Sequence, residues 1–452
     1  MKRIKILWLR YSVQSASLIF FLLLFSGLSY PLGKEVPLLQ GMTRLDPWTL
    51  LNHLRWQWNW PTWGWLSLAT VLVSLVWGRL FCGWLCPLGA ALTLVDQISR
   101  RWWKNLTVMR RNMLEKARTW RYFWLLLLTV VFLLGSNWTY FLTPFTLLGH
   151  EIVRGFQGQI PWILLGIAAG TVFFSRLWCT ALCPTGLLLS VAARGRRFGY
   201  RPDKQCLECG VCSRNCPAGM APVTDQAVGE GCLVCGDCQR SCPPRAIQWQ
   251  RLNKKAGVTG ETGDAVSCRP PSSRRQFIKT VAVLAAAVAF WQQTVWSGPR
   301  VLRPPGALAE KDFTAVCNRC GRCIRVCPAK ALQPMPAVTG LANFETPYIL
   351  PRKSRCDLCL SCQEVCPTGA IAATTLEQVR MGTAVLDKPR CIAWSEQKLC
   401  LICAEQCPVL AIQGDENHRP VVLAEQCVGC GSCENACPVA GDAAVRVLPR
   451  LD

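Results

Sequence analysis

The chain has 452 residues, 51% of them hydrophobic, with 29 cysteines and a formal net charge of +23. That length allows two to four domains, and the apolar share points to membrane spans rather than a wholly soluble protein. The charge excludes less than it first suggests. Residues 1–309 hold 35 Lys+Arg against 12 Asp+Glu, while residues 310–452 hold 15 of each. The excess flanks apolar runs, as membrane orientation requires, so nucleic-acid binding is not expected.

Four apolar stretches come first, at residues 15–32, 63–76, 122–134 and 160–174. With their flanking aromatics, each reaches the ~20 residues that a bilayer needs. The basic segments 1–10, 100–121 and 194–204 then lie in the cytoplasm, and the loops 33–61 and 139–159 face the periplasm. A signal-peptide reading of the first span fails, because no small-residue cleavage site follows closely and more spans come after it.

Two eleven-residue segments close the second and fourth spans. Arg79-Leu80-Phe81-Cys82-Gly83-Trp84-Leu85-Cys86-Pro87-Leu88-Gly89 is echoed by Arg176-Leu177-Trp178-Cys179-Thr180-Ala181-Leu182-Cys183-Pro184-Thr185-Gly186. A Cys-x3-Cys spacing puts two sulfurs on one helical face. The duplication implies two similar hairpins about a pseudo-twofold axis. Cys82, Cys86, Cys179 and Cys183 then form either a further redox or metal site, or a packed helix interface of small cysteines.

Six runs of the type Cys-x2-Cys-x2-Cys-x3-Cys-Pro follow. Each has the ligand spacing of a [4Fe–4S] cluster, and the fourth cysteine of a run usually ligates the other cluster of a pair. Residues 200–250 form a two-cluster module. Cys206, Cys209, Cys212 and Cys242 are expected on one cluster, and Cys232, Cys235, Cys238 and Cys216 on the other. Residues 251–309 form a polar linker with Cys268, taken as a free thiol, and then a leader. Ser273-Arg274-Arg275-Gln276-Phe277-Ile278-Lys279 and the apolar residues 280–291 match a twin-arginine export signal, here internal and expected as a fifth span. Such a signal suits a domain whose clusters are built in the cytoplasm and which must be exported folded.

Residues 310–452 carry four more runs: Cys317, Cys320, Cys323, Cys327; Cys356, Cys359, Cys362, Cys366; Cys391, Cys400, Cys403, Cys407; and Cys427, Cys430, Cys433, Cys437. The first run pairs with the second, or with the fourth around a central pair; spacing leaves both open. Cys391 is the least regular ligand, because eight residues separate it from Cys400. A disulfide framework does not suit rigid, Pro-terminated spacings, and zinc does not suit six such runs. Ala307-Leu308-Ala309 resembles a leader cleavage site. Histidine is confined to His53, His150 and His418, with no Cys-x-x-Cys-His. That excludes c-type haem and a bis-histidine haem pair. His53 and His150 are loop histidines, with a proton-accepting role beside a quinol as the functional alternative.

The fold expected is therefore mixed: an α-helical membrane domain, residues 1–199, and α+β bacterial 2[4Fe–4S] ferredoxin-like modules. Residues 1–250, with four spans, two Cys-x3-Cys-Pro repeats and a two-cluster module, resemble the NapH/MauN membrane ferredoxins. Residues 273–452, with a twin-arginine leader and four runs, resemble the NapG/MauM ferredoxins. The fusion of the two in one polypeptide departs from families of separate subunits. The resemblance implies a multi-pass inner-membrane protein with residues 200–250 in the cytoplasm and the C-terminal domain in the periplasm. It implies six [4Fe–4S] clusters, electrons drawn from the membrane quinol pool, and a periplasmic reductase or cytochrome c as acceptor. The twin-arginine translocase would act during export. The alternative is an assembly factor supplying electrons to a metalloenzyme under construction.

Overall fold

A stretch free of proline and glycine, basic at its start and continuously apolar over residues 18–25, makes the first helix, α1 (Lys2–Ser26). The computed structural model describes residues 2–27, 35–58, 60–102, 121–133, 138–203, 205–220, 231–252, 300–336 and 343–450. The twin-arginine segment, the apolar run behind it and Cys268 lie outside these residues. The chain divides into two units, Met1–Phe25 with Leu38–Ala289, and Ser26–Pro37 with Phe290–Asp452.

Among the described residues, α1 is the one helix long and apolar enough to cross a membrane, over Trp8–Ser26. This begins seven residues or so before the stretch expected from the sequence. Three shorter apolar helices fall on the other stretches: α4 (Gly64–Trp77), α6 (Arg121–Leu133) and α9 (Trp162–Phe173). Each is shorter than the ~20 residues of a straight span.

The segments expected as loops are folded. They contain α2 (Glu35–Thr43), α3 (Pro47–Gln57), α7 (Trp138–Phe141) and α8 (Pro144–Phe156). The reason is local. Asp46 caps α3 by accepting from Trp48 N at 3.0 Å, with Pro47 pre-set at the first helical position. At α8 Pro144 again sits pre-set at the first helical position, while the Thr143 hydroxyl donates to Thr146 Oγ1 at 3.1 Å. With α5 (Pro87–Trp102) and α10 (Pro184–Ala192), the helices interlock crosswise. α4 packs on α10 and α9 on α5; α3 leans on α4 and α10, and α8 on α9 and α5. Each half of the repeat therefore completes the other. Phe145 of α8 packs against Phe21 of α1 and Phe81, with centroids 5.9 and 6.1 Å apart.

The two-run module folds as part of this first unit. Its strands β1 (Phe198–Pro202) and β2 (Ile247–Arg251) pair antiparallel, Tyr200 opposite Trp249. A loop of the module lies against the first Cys-x3-Cys turn. Trp84 Nε1 donates to Val234 O at 3.1 Å, and a Cβ on Gly83 would overlap Leu233 O. Arg10, fully buried, donates to Gly83 O (3.3 Å) and Cys235 O (3.0 Å) and pairs with Asp237 at 3.6 Å.

The second unit is built on short antiparallel pairs. β3 (Leu332–Pro334) pairs with β4 (Pro347–Ile349), and β6 (Ile412–Gly414) with β7 (Pro420–Val422). β5 (Gly382–Leu386) pairs with β8 (Val445–Pro449), more than fifty residues on. This unit does not begin at residue 310. Leu302 and Arg303 are buried in it. Leu302 O accepts from Ile349 N (2.8 Å), Gly306 O from Ala372 N (2.7 Å) and Ala370 O from Leu308 N (3.1 Å). Arg303 donates to Glu310, Thr346, Asn343 and Pro347 O, and lies over the Phe313 ring. The Ala307-Leu308-Ala309 sequence is thus woven into the domain it was expected to release.

Removing residues up to Ala309 from the second unit is therefore expected to destabilise it, and any natural processing product should begin before Val301. Arg303→Ala should cost on the order of 3 kcal/mol, because it leaves Glu310 without its cation and buried acceptors without donors. Urea titration, followed by loss of the visible cluster absorbance, measures both losses of stability; mass spectrometry of any C-terminal product measures where it begins.

Candidate iron–sulfur centres

In the second unit the cysteines meet in quartets that no single run supplies. One pocket is lined by Cys317, Cys320, Cys323 and Cys366. A second is lined by Cys327, Cys356, Cys359 and Cys362. A third is lined by Cys407, Cys427, Cys430 and Cys433. Cys391, Cys400 and Cys437 pack together, with Cys403 in electrostatic contact with Cys391 and Cys400. The first run thus pairs with the second and the third with the fourth, which settles the two arrangements left open by spacing. Cys391 is buried within its group.

Local backbone makes the loops. Left-handed residues, Arg319 and Gly321, Leu358 and Leu360, and Gly429 and Gly431, curl the three regular runs around their pockets. A helical turn such as Arg322–Val326 or Ser432–Ala436 follows and carries the third cysteine. The Pro after the fourth cysteine then directs the chain into a strand. The two pairs are joined, since Cys356 N donates to Cys430 O at 2.9 Å. Arg352 adds a clamp, donating to Cys437 O at 2.7 Å and Glu434 O at 3.2 Å. The four quartets therefore form a continuous series.

Burial pushes the thiols up: Cys317, Cys356 and Cys433 to about 12, and Cys403 to about 11, with neighbouring cysteines adding to the shift in each. In the first unit Cys216 goes to about 11, again by burial. Such thiols stay protonated near neutral pH unless a cation draws the proton off, so loading with iron must release protons. The surroundings are prepared for the ionised form. Backbone N–H groups point at sulfur from Ala411 to Cys407 (3.2 Å), Met220 to Cys216 (3.3 Å), Arg319 to Cys317 (3.4 Å) and Ile371 to Cys366 (3.5 Å). Four thiols around one cavity, with amide donors to sulfur, fit a cubane cluster.

In the two-run module, Cys216 lies among Cys232, Cys235 and Cys238. Cys212 is beside Cys206, and Cys242 packs with Cys212 and Cys238.

The two Cys-x3-Cys turns are π-helical, Phe81–Leu85 and Trp178–Leu182, and each ends at its second cysteine in extended backbone. Pro87 and Pro184 then start α5 and α10. The four thiols line one pocket with Phe81, Pro144 and Thr185. Two arginines, each under 2% exposed, cross between the repeats. Arg79 donates to Cys179 O and approaches Cys82 Sγ at 4.0 Å. Arg176 donates to Gly89 O at 2.7 Å and to Thr93.

Several residues near this site escaped the sequence reading. Asp46 accepts from Thr185 Oγ1 at 2.9 Å, and burial raises its carboxyl to about 7. The Asp-Pro pair that opens α3 was the available signal. Arg10, expected as a flanking positive charge, is buried under the module. His150 is not a solvated loop residue: it is buried, with Nδ1 3.1 Å from Glu151 Oε1, and Glu151 Oε2 accepts from Leu164 N at 3.1 Å. His53 stacks edge-on to Trp63.

Cysteine quartets of this kind define an iron–sulfur electron-transfer protein. Family models agree. A 4Fe-4S binding domain matches residues 59–105 and 160–201, a 4Fe-4S dicluster domain residues 316–370, and a further 4Fe-4S binding domain residues 420–440. Among curated relatives, the ferredoxin-type protein NapG of Escherichia coli is 33% identical over 206 residues, 40% of this chain and 88% of NapG. The methylamine utilization ferredoxin-type protein MauM is 36% identical over 217 residues in Methylophilus methylotrophus, covering 43% of this chain and 93% of that protein. In Methylorubrum extorquens it is 35% identical over 204 residues, 40% and 92%. The chain belongs to the NapG/MauM ferredoxin-type family, whose members correspond to less than half of its length. No solved structure matches.

The quartets make a specific prediction about which residues fail together. Cys366→Ser should disturb the centre of Cys317, Cys320 and Cys323 and spare that of Cys356, Cys359 and Cys362. Cys327→Ser should do the reverse. EPR of the reduced intact protein, with each variant's iron content, distinguishes the two losses.

Proposed function

We propose that this chain is a quinol dehydrogenase of the inner membrane, passing electrons to a periplasmic acceptor through [4Fe–4S] clusters. Its helical unit is a NapH/MauN-type membrane ferredoxin spanning the bilayer several times, with the two-run module on the cytoplasmic side. The 24 cysteines of the six runs hold six clusters. The second unit is exported behind the internal twin-arginine signal, with the twin-arginine translocase as partner. The acceptor is a reductase or cytochrome of a nitrate-reductase-like or methylamine-linked pathway.

The observation that carries this reading is the series of four quartets in the second unit, joined at Cys356 and Cys430. A series of one-electron centres with protein thiolates at every corner supports conduction and little else. An assembly factor needs no such length of wire. Oxidation of a quinol releases two electrons and two protons, so the reading requires centres able to take the electrons singly.

The test uses the intact protein, held anaerobically in detergent with a menaquinol or ubiquinol analogue. Quinol is expected to bleach the visible cluster absorbance, and an added periplasmic acceptor to restore it. Bleaching by dithionite but not by quinol contradicts the reading. So does a deletion strain whose acceptor enzyme lacks its metal cofactor.

A further inference from the structure

We infer that Cys82, Cys86, Cys179 and Cys183 hold a [4Fe–4S] cluster of their own, shared between the two halves of the helical unit. This goes beyond the six runs and stands whether or not quinol is the electron donor.

Arrangement is the first argument. These four thiols line one pocket, as each of three ferredoxin quartets does in the second unit. A site for one tetrahedral ion closes its sulfurs to ~2.3 Å from the metal. Among the described residues no set of three or more His, Cys, Asp or Glu side chains has that arrangement, here or at the ferredoxin loops. The four thiols are nevertheless mutual electrostatic neighbours. They surround a volume rather than a point.

The surroundings are the second argument. Gly89 N donates to Cys86 Sγ at 3.3 Å and Gly186 N to Cys183 Sγ at 3.4 Å. This repeats the amide-to-sulfur bonds at Cys216, Cys366 and Cys407. A Cβ at Gly89 would press on Cys82 O, and one at Gly186 on Cys179 O and Arg79, so glycine at both places keeps the turn closed on the cavity. Four thiolates around a cubane carry net negative charge, and this environment meets it with the N-termini of α5 and α10 and the buried cations Arg79 and Arg176.

Third, the 4Fe-4S binding domain matched at residues 59–105 and 160–201 contains these four cysteines and none of the cysteines in the six runs. The position is useful as well. Gly83, between Cys82 and Cys86, lies against Leu233 O, between Cys232 and Cys235. A centre here neighbours a module centre from within the helical unit.

Native mass spectrometry of the anaerobically purified intact protein counts the centres directly. Seven Fe4S4 increments are expected, the six runs plus this one. Changing all four cysteines to serine should remove about four iron and four sulfide per chain and leave the EPR signals of the ferredoxin centres. An Fe4S4 count that is the same in the unaltered protein and in the fourfold serine variant overturns the inference, whatever the total from the six runs. A zinc or copper ion at the site, or a pair of disulfides seen as a mass deficit, overturns it too.

Discussion

Each complete quartet in the second unit is closed by a sulfur from another run. Three cysteines of one run curl around a cavity, and the fourth comes from its partner, as Cys366 does for Cys317, Cys320 and Cys323. Neither run can complete its site alone. The exchange converts a local turn motif into a tertiary constraint, and it fixes which loops are adjacent. Strand pairs as short as Ile412–Gly414 with Pro420–Val422 have little cooperativity of their own. The quartets hold them, which is how a domain with so small a core can fold. The thiols, raised by burial, give their full stabilisation only when a metal site ionises them.

The helical unit uses the same principle with side chains in place of a sulfur exchange. Arg79 reaches into the second repeat and Arg176 into the first. The helix capped by Asp46 rests on α10 of the other half, where Thr185 answers it. Such buried cations are costly unless every neighbour is in place, so the crossing specifies one arrangement of the two hairpins. It also explains why the repeat extends from arginine to glycine: the arginine crosses, the cysteines face the cavity, the proline starts the next helix and the glycine lets its turn close.

Much of this was legible in the sequence and some was not, for physical reasons. Cysteine spacing is a local property, so the runs could be read directly. Pairing among four runs is a property of the folded chain, and spacing could not choose between first-with-second and first-with-fourth. Residues 33–61 and 139–159 were read as loops because they lack a long apolar run, yet Asp46-Pro47 and Thr143-Pro144 are helix-opening pairs. Arg10 was counted as a flanking charge. A positive residue at a membrane boundary and one buried beneath a ferredoxin loop look alike until the partners, Cys235 O and Asp237, are placed. Ala307-Leu308-Ala309 has the small residues of a cleavage site, and only the bonds from Gly306 O and Leu308 N show that it belongs to the folded unit.

The account rests on centres held in series, close enough for electrons to pass between them. EPR of the fully reduced intact protein tests this most directly, because neighbouring paramagnetic clusters broaden and split one another's signals. The account predicts interaction spectra from each pair of runs, lost from one pair when its exchanged cysteine, Cys366 or Cys407, becomes serine. A sum of sharp, independent signals, unchanged by those substitutions except in amplitude, would contradict it.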